Sequence, residues 1–186
     1  MLYYLLMSSR ADNQLALIIK TKRSRERDLL VTLVTQTQGR LVVAANGVRQ
    51  LHSRERAYLQ SGNLVHLQLV TTKGLPLLTQ ATLVADTHSV HTNLAAVKRL
   101  LLFLEILDQV LVSEELSPAL FRQILYLREL LLQGASNRLV RQHCYQFLSN
   151  LGFLDGRQLT TSQSVTALVN QIVERELSTF SYFHLS

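Results

Sequence analysis

The spacing of apolar residues changes once along this chain, near Asp86, and that change restricts the fold more than any other feature. Before it, apolar residues form short runs or alternate singly with polar ones, the two-residue period of a pleated strand. After it they recur every three to four residues, the period of a helix lying on a core. Such a chain divides into a β-rich part over 1–86 and an all-helical part over 87–186, an α+β arrangement with its boundary near 87–92.

The β-rich part reads as five short strands. "LALIIK" is an apolar run rich in β-branched residues, and "DLLVTLVTQTQGRLVVAA" holds two runs joined around Gly39. In "LVHLQLVTT", Val65, Leu67 and Leu69 share one face, with His66 and Gln68 on the other. A turn on Gly74 and Pro76 leads to "LLTQATLVA". Five short antiparallel strands fit a small barrel or a sandwich; the expectation is a five-stranded OB-fold barrel, and an SH3-like barrel fits almost as well.

In the second half, Asn93 caps a helix running through Val112, whose polar residues Lys98, Glu105, Asp108 and Gln109 gather in one narrow stripe. Ser117-Pro118 opens a second helix that ends before Gly134. Ser136 opens a third, with Val140, Cys144, Phe147, Leu148 and Leu151 at helical spacing and Gly152 as its stop. Val165, Leu168, Val169, Ile172 and Val173 predict a fourth.

Composition matters through where the charge lies. Residues 1–80 hold eleven Lys and Arg against four acids, a net +7, and the remaining 106 residues hold eight against nine, a net −1. Cys144 is the only cysteine, which rules out an intramolecular disulfide and a multi-cysteine zinc site and fits a reducing, cytoplasmic interior. "MLYYLLMSSR" has no basic residues before its short apolar stretch and no cleavage signal, so it is not read as a secretory leader. The most apolar segment, 94–112, carries Lys98, Arg99, Glu105 and Asp108 and belongs in a water-soluble core rather than in lipid.

Enzyme signatures are missing. There is no Gly-rich phosphate loop before a helix, no Gly-x-Ser-x-Gly and no helical His pair flanking a Glu, so no catalysis and no cofactor are expected. Asp86, His88 and His91, joined by His143, are the one grouping with metal-ligand residue types. Spacing alone specifies little, so a polar linker is the preferred reading and no metal site is assigned. Cys144 lies on the apolar stripe of its helix, as a buried structural thiol does. His66, on the polar face of a strand, meets water or nucleic acid.

The basic residues fall in two segments connecting the barrel's strands: Lys20, Lys22, Arg23, Arg25 and Arg27, then Arg49, Arg54 and Arg56. One such run is ordinarily a solvated surface, here partly paired with Glu26, Asp28 and Glu55. Two in one small barrel favour a surface that tracks phosphates. Neutralising about five of them on a single strand gives a log–log salt slope near about −3.5. Apart from Tyr3 and Tyr4, Tyr58 is the only aromatic in the basic half, so binding should be electrostatic and indifferent to base sequence. Single and double strands would then compete on similar terms.

Several pieces in order resemble one family. "ERDLLVTLVTQTQGRL", "NGVRQLHSR" with Gly47, Arg49, Ser53 and Arg54, Leu59-Gln60 and "KGLPLLTQA" resemble the N-terminal OB domain of RecO, the bacterial recombination mediator; "FLSNLGFLD" resembles a step in the family's helical domain. The chain departs from many relatives in its shortness and in lacking their zinc-binding cysteines, and Asn46 stands where the family often has Lys.

The resemblance implies a non-enzymatic DNA repair and recombination protein. Such a protein binds single- and double-stranded DNA, anneals strands coated with single-stranded-DNA-binding protein and, with RecR, helps load the RecA recombinase in gap repair. Arg49 and Arg54 match the family's basic motif, with Arg27 and Arg56 close by, while Glu26 and Asp28 are assigned to hydrogen bonding within the barrel. Capture of the acidic tail of the single-strand-binding protein is assigned to Arg122 and Arg128, or to Arg138 and Arg141, with surface pairing to Glu129 as the ordinary alternative. A bacterial cytoplasmic, nucleoid-associated location follows.

Two readings of other classes compete. An OB-fold adaptor that binds RNA or protein on the ribosome has no reason to accelerate duplex formation. A metal-dependent enzyme at Asp86, His88 and His91 requires stoichiometric metal in the purified protein.

Overall fold

The computed structural model describes residues 12–24, 29–45 and 53–154 and helical positions 165, 167 and 169, apart from the side chains of residues 12 and 53–55. By contact clustering the chain forms two compact units, one of Met1–Thr35 and Leu41–Asp86, the other of Gln36–Arg40 and Thr87–Ser186.

The first unit is a closed five-stranded barrel with strand order β1-β2-β3-β5-β4. Its strands are β1 (Asp12–Arg23), β2 (Leu29–Thr35), β3 (Gly39–Ala45), β4 (Leu64–Val70) and β5 (Leu77–Ala85). β1 is long enough to serve two neighbours: Asp12–Leu17 pair antiparallel with β4, and Ala16–Arg23 pair antiparallel with β2. β4 and β5 are antiparallel, and β3 meets β5 in parallel at Ala44 and Leu77. This is the OB-fold, and the crossover between β3 and β4 holds the short helix α1 (Ser53–Tyr58).

Alternation explains the barrel's interior. Ala16, Ile18, Val31, Leu33, Val43, Val65, Leu67 and Leu69 all point inward and are buried, and Leu59, just after α1, joins them. Leu17 and Val34, paired across β1 and β2, alternate with this set yet are fully buried too. The centre of these strands is therefore covered on both faces, which is why β1 reads as an unbroken apolar run rather than an alternating one.

The second unit is built on α2 (Leu94–Val110), α3 (Pro118–Leu132) and α4 (Asn137–Asn150), with a 3₁₀ turn at His88–Val90. Each helix starts where its cap demands. Asn93 Oδ1 accepts from the N–H of Ala95 and Ala96 at 3.0 and 3.2 Å, Ser117 Oγ from Leu120 at 3.2 Å, and Ser136 Oγ from Leu139 at 3.4 Å. At the end of α4, Gly152 adopts φ +84, and Phe153 N–H donates to Leu148 O at 3.0 Å. Of the fourth predicted helix, Val165, Ala167 and Val169 are helical; Leu168, Ile172 and Val173 lie outside the described residues.

The β2–β3 turn, Gln36–Arg40, belongs to this helical unit. Its backbone bonds the connection after α2: Leu116 N–H donates to Gln36 O at 2.8 Å, and Arg40 N–H to Val112 O at 3.0 Å. Ser113 Oγ donates to Arg40 O at 2.7 Å, and Arg40 Nε meets Asp108 Oδ1 at 2.8 Å. Gly39 sits at φ +58, and a Cβ there would collide with the carbonyls of Glu114 and Val112, so only glycine fits.

Candidate nucleic-acid interface

The predicted basic residues lie partly outside the described chain: Arg25, Arg27 and Arg49, together with the side chain of Arg54 and the acids Glu26 and Asp28. Those that are described sit differently from the expectation of two loops. Lys20, Lys22 and Arg23 are on β1 itself, after an irregularity at Ile18–Lys20 where the pairing with β2 slips. Such a bulge bends the strand and turns the alternating side chains by one position.

Lys20 then faces Thr32 and Lys22 faces Leu30, on the outward side of the β1–β2 ribbon, while Arg23 pairs with Leu29 at its end. All three basic side chains are exposed. Further along the same ribbon the outward residues Thr32, Leu17 and Val34 are buried. The exposed cations are therefore confined to the end of the ribbon, and its middle is covered.

Ser53–Tyr58 is helical, a correction to the loop expected there: the sequence "SRERAY" combines an N-cap residue type with helix-favouring residues, and one turn suffices to bring Leu59 into the barrel. Arg56 is exposed on this helix. The Asn63 side-chain amide donates to the last carbonyls of α1, Ala57 O at 3.1 Å and Tyr58 O at 3.2 Å. Asn63 O in turn accepts from Ile18 N–H at 2.9 Å, and Gly62 N–H donates to Ile18 O at 2.8 Å. The carboxyl end of α1 is thus tied to the β1 bulge, next to Lys20.

Lys73 was not among the residues singled out, and it is exposed in the β4–β5 turn. The signal that could have found it is topological. β1 ends beside the start of β2 (Arg23 and Leu29), and β5 starts beside the end of β3 (Leu77 and Ala44). β2 and β3 are consecutive and adjacent, so the end of β1 and the β4–β5 turn flank the same end of the β2–β3 hairpin. Arg40, counted in the front-half excess, is by contrast engaged with Asp108.

On the helical unit, Arg122 (α3) and Arg138 and Arg141 (α4) are exposed. Arg128 is not: its side chain is 3% exposed, with Nη1 at 3.6 Å from Glu129 Oε2. It falls in register with Phe121, Ile124 and Leu131 on the buried stripe of α3, so it does not present the accessible cation that an acidic tail requires. Arg99 holds the α3–α4 connection, donating to Ala135 O at 2.8 Å and Asn137 Oδ1 at 3.1 Å.

Among the described residues no cluster of three His, Cys, Asp or Glu side chains is arranged to hold a metal. His91 Nε2 lies 3.1 Å from Thr87 Oγ1, and the His88 and His91 rings meet edge to face at 5.8 Å. His143 instead stacks edge-on against Tyr126 of α3. Burial pushes the Cys144 thiol up to about 12, so it stays protonated and unreactive at neutral pH. His66 is exposed on β4. No helix among the described residues is long and apolar enough to cross a membrane.

Residues 7–86 match the family model described as Recombination protein O N terminal. Over 66 residues the chain is 38% identical to a protein of Nocardioides sp. named DNA repair protein RecO, a match covering 36% of this chain and 27% of that protein. Over 139 residues it is 29% identical to the DNA repair protein RecO of Syntrophomonas wolfei, covering 74% of this chain and 56% of that one. The chain thus spans about half or less of the length of these curated relatives.

Proposed function

We propose, from the match of residues 7–86 to the model described as Recombination protein O N terminal and the likeness to two DNA repair proteins RecO, that this chain is a DNA repair protein of that family and acts as a recombination mediator. Residues 1–86 bind single- and double-stranded DNA through Lys20, Lys22, Arg23, Arg25, Arg27, Arg49, Arg54 and Arg56. Residues 87–186 form a helical partner module. The protein anneals complementary strands and helps load the recombinase in gap repair, without catalysis and without a cofactor, in the bacterial cytoplasm at the nucleoid.

The observation that carries this reading is the cationic end of β1 on an OB barrel, with Lys20, Lys22 and Arg23 exposed beside the start of β2. Two strands that are to anneal repel through their phosphates, and a cationic rim lowers that repulsion without reading bases. The partners are the tail of the single-strand-binding protein, RecR and RecA. Of the residues first assigned to the tail, exposed Arg122, Arg138 and Arg141 remain suitable.

The test is a DNA-binding titration against salt on the wild type and on Arg49→Ala/Arg54→Ala/Arg56→Ala, paired with fluorescence annealing of complementary oligonucleotides. The wild type should bind with a slope near about −3.5 on single strands and speed annealing. An unchanged affinity and slope in the triple variant would remove those arginines from the DNA surface. Binding without accelerated annealing would point to an adaptor instead.

A further inference from the structure

We infer that the outward side of β4, β5 and the first half of β1 is a surface through which two copies of this chain associate; its use in annealing rests on the DNA-binding reading above. Strand pairing sets this side out in rows. Asn13, Gln68 and Gln80 lie side by side across the three strands, and Leu15, His66 and Thr82 form the next row. Asn13, His66, Gln80 and Thr82 are exposed, and Val84, the next outward residue of β5, is 47% exposed. None of them is Lys, Arg, Asp or Glu.

Charge decides what covers such a face. Residues 1–80 carry a net +7, so two copies repel wherever their cations meet. On β1 the cations Lys20, Lys22 and Arg23 come after the irregularity at Ile18–Lys20, where the strand pairs with β2, and the half paired with β4 brings no cation to this side. A second copy therefore meets no like charge here. The barrel is closed and offers no free strand edge, so association has to be face to face.

The chemistry is self-complementary. An amide or a hydroxyl both donates and accepts, so the Asn, Gln and Thr side chains of one copy can bond those of another about a twofold axis, with Leu15 and Val84 supplying apolar contact. A strongly charged partner would find no counter-charge on it. Thr79 Oγ1 donates to Gln68 O at 3.1 Å and ties β4 to β5 where their register shifts beside Gln68. A contact centred on two short rows falls below the roughly 20–30 residues a side of a stable complex, so the dimer belongs to the micromolar range. Lys22 and Arg23 stay outside it, and one dimer presents two cationic ends, one for each strand to be annealed.

Sedimentation velocity on the full-length chain should show monomer passing to dimer as concentration rises through the micromolar range. Thr82→Lys or Thr82→Glu places like charges in the contact twice; either alone should stay monomeric at an unchanged urea midpoint, and an equimolar mixture of the two should dimerise again. Annealing of complementary oligonucleotides should slow severalfold in each variant and recover in the mixture, whereas monomeric variants that anneal at the wild-type rate would remove the dimer's part in annealing. A wild type that stays monomeric while binding DNA, or variants that dimerise as it does, overturns the inference and leaves DNA binding standing. A wild type that dimerises but binds no DNA at low salt overturns the DNA reading alone.

Discussion

The two units use positive charge in opposite ways. In the helical unit, Arg40 reaches Asp108, Arg99 holds the α3–α4 connection and Arg128 is sunk into the apolar stripe beside Glu129. At the open end of the barrel, Lys22, Arg23 and Lys73 are exposed, and among the described residues no carboxylate forms an ion pair with them. Guanidinium groups inside a fold hold elements together; cations on a rim stay available to a phosphate. These three arginines of the helical unit thus serve its fold, whereas the cations at the barrel's end are exposed, as the proposed contact with DNA requires.

That contrast can be broken by substitutions whose effects should separate. The largest loss of stability is expected in the barrel's interior: Leu67→Ala, at a fully buried site, should cost about 2–5 kcal/mol in urea unfolding. Arg40→Ala comes next. It takes the Arg40 cation away from a carboxylate that is only 7% exposed and should cost about 1–3 kcal/mol, with the salt slope for DNA unchanged. Lys22→Ala/Arg23→Ala should do the reverse, shifting stability by less than about 0.5 kcal/mol while reducing the salt slope on single strands by about 1.4. A slope change in the first of these two cation variants, or a stability loss in the second, would erase the distinction.

Cys144 sharpens the picture with an effect of almost nothing at neutral pH. Its thiol, raised from 9.0 to about 12 by burial, should ignore iodoacetamide in the native protein and react once urea unfolds the chain. The unfolded thiol ionises first as pH rises, so its contribution is intact below about 9 and is lost between about 9 and about 12. An unfolding midpoint that rises over that interval would mean the thiol is not buried.

Much of this was legible in the sequence because it depends on local signals. The caps Asn93, Ser117 and Ser136 and the stops Gly134 and Gly152 act within a turn or two of chain, so reading neighbours locates the helices. Alternation in β4 put Val65, Leu67 and Leu69 inside the barrel for the same reason. What escaped depends on distant pairing. The six residues of α1 are too few to show a period. That Lys20 and Lys22 are on a strand follows from β1 outrunning β4 and pairing with β2, and the place of Lys73 follows from the β3–β5 contact. Arg128 was readable: seven residues after Phe121 and four after Ile124, it lies on the stripe that turns inward.

The hairpin tip at Gln36–Arg40 has a consequence for anyone cutting the gene in two. A fragment starting at Thr87 would lack the five residues to which its own Val112–Leu116 backbone is bonded, and Asp108 would lose its cation. Those five cannot be grafted on without the strands that lead to them. During synthesis the tip emerges from the ribosome some seventy residues ahead of its partners, so these bonds close only after the helical half has followed.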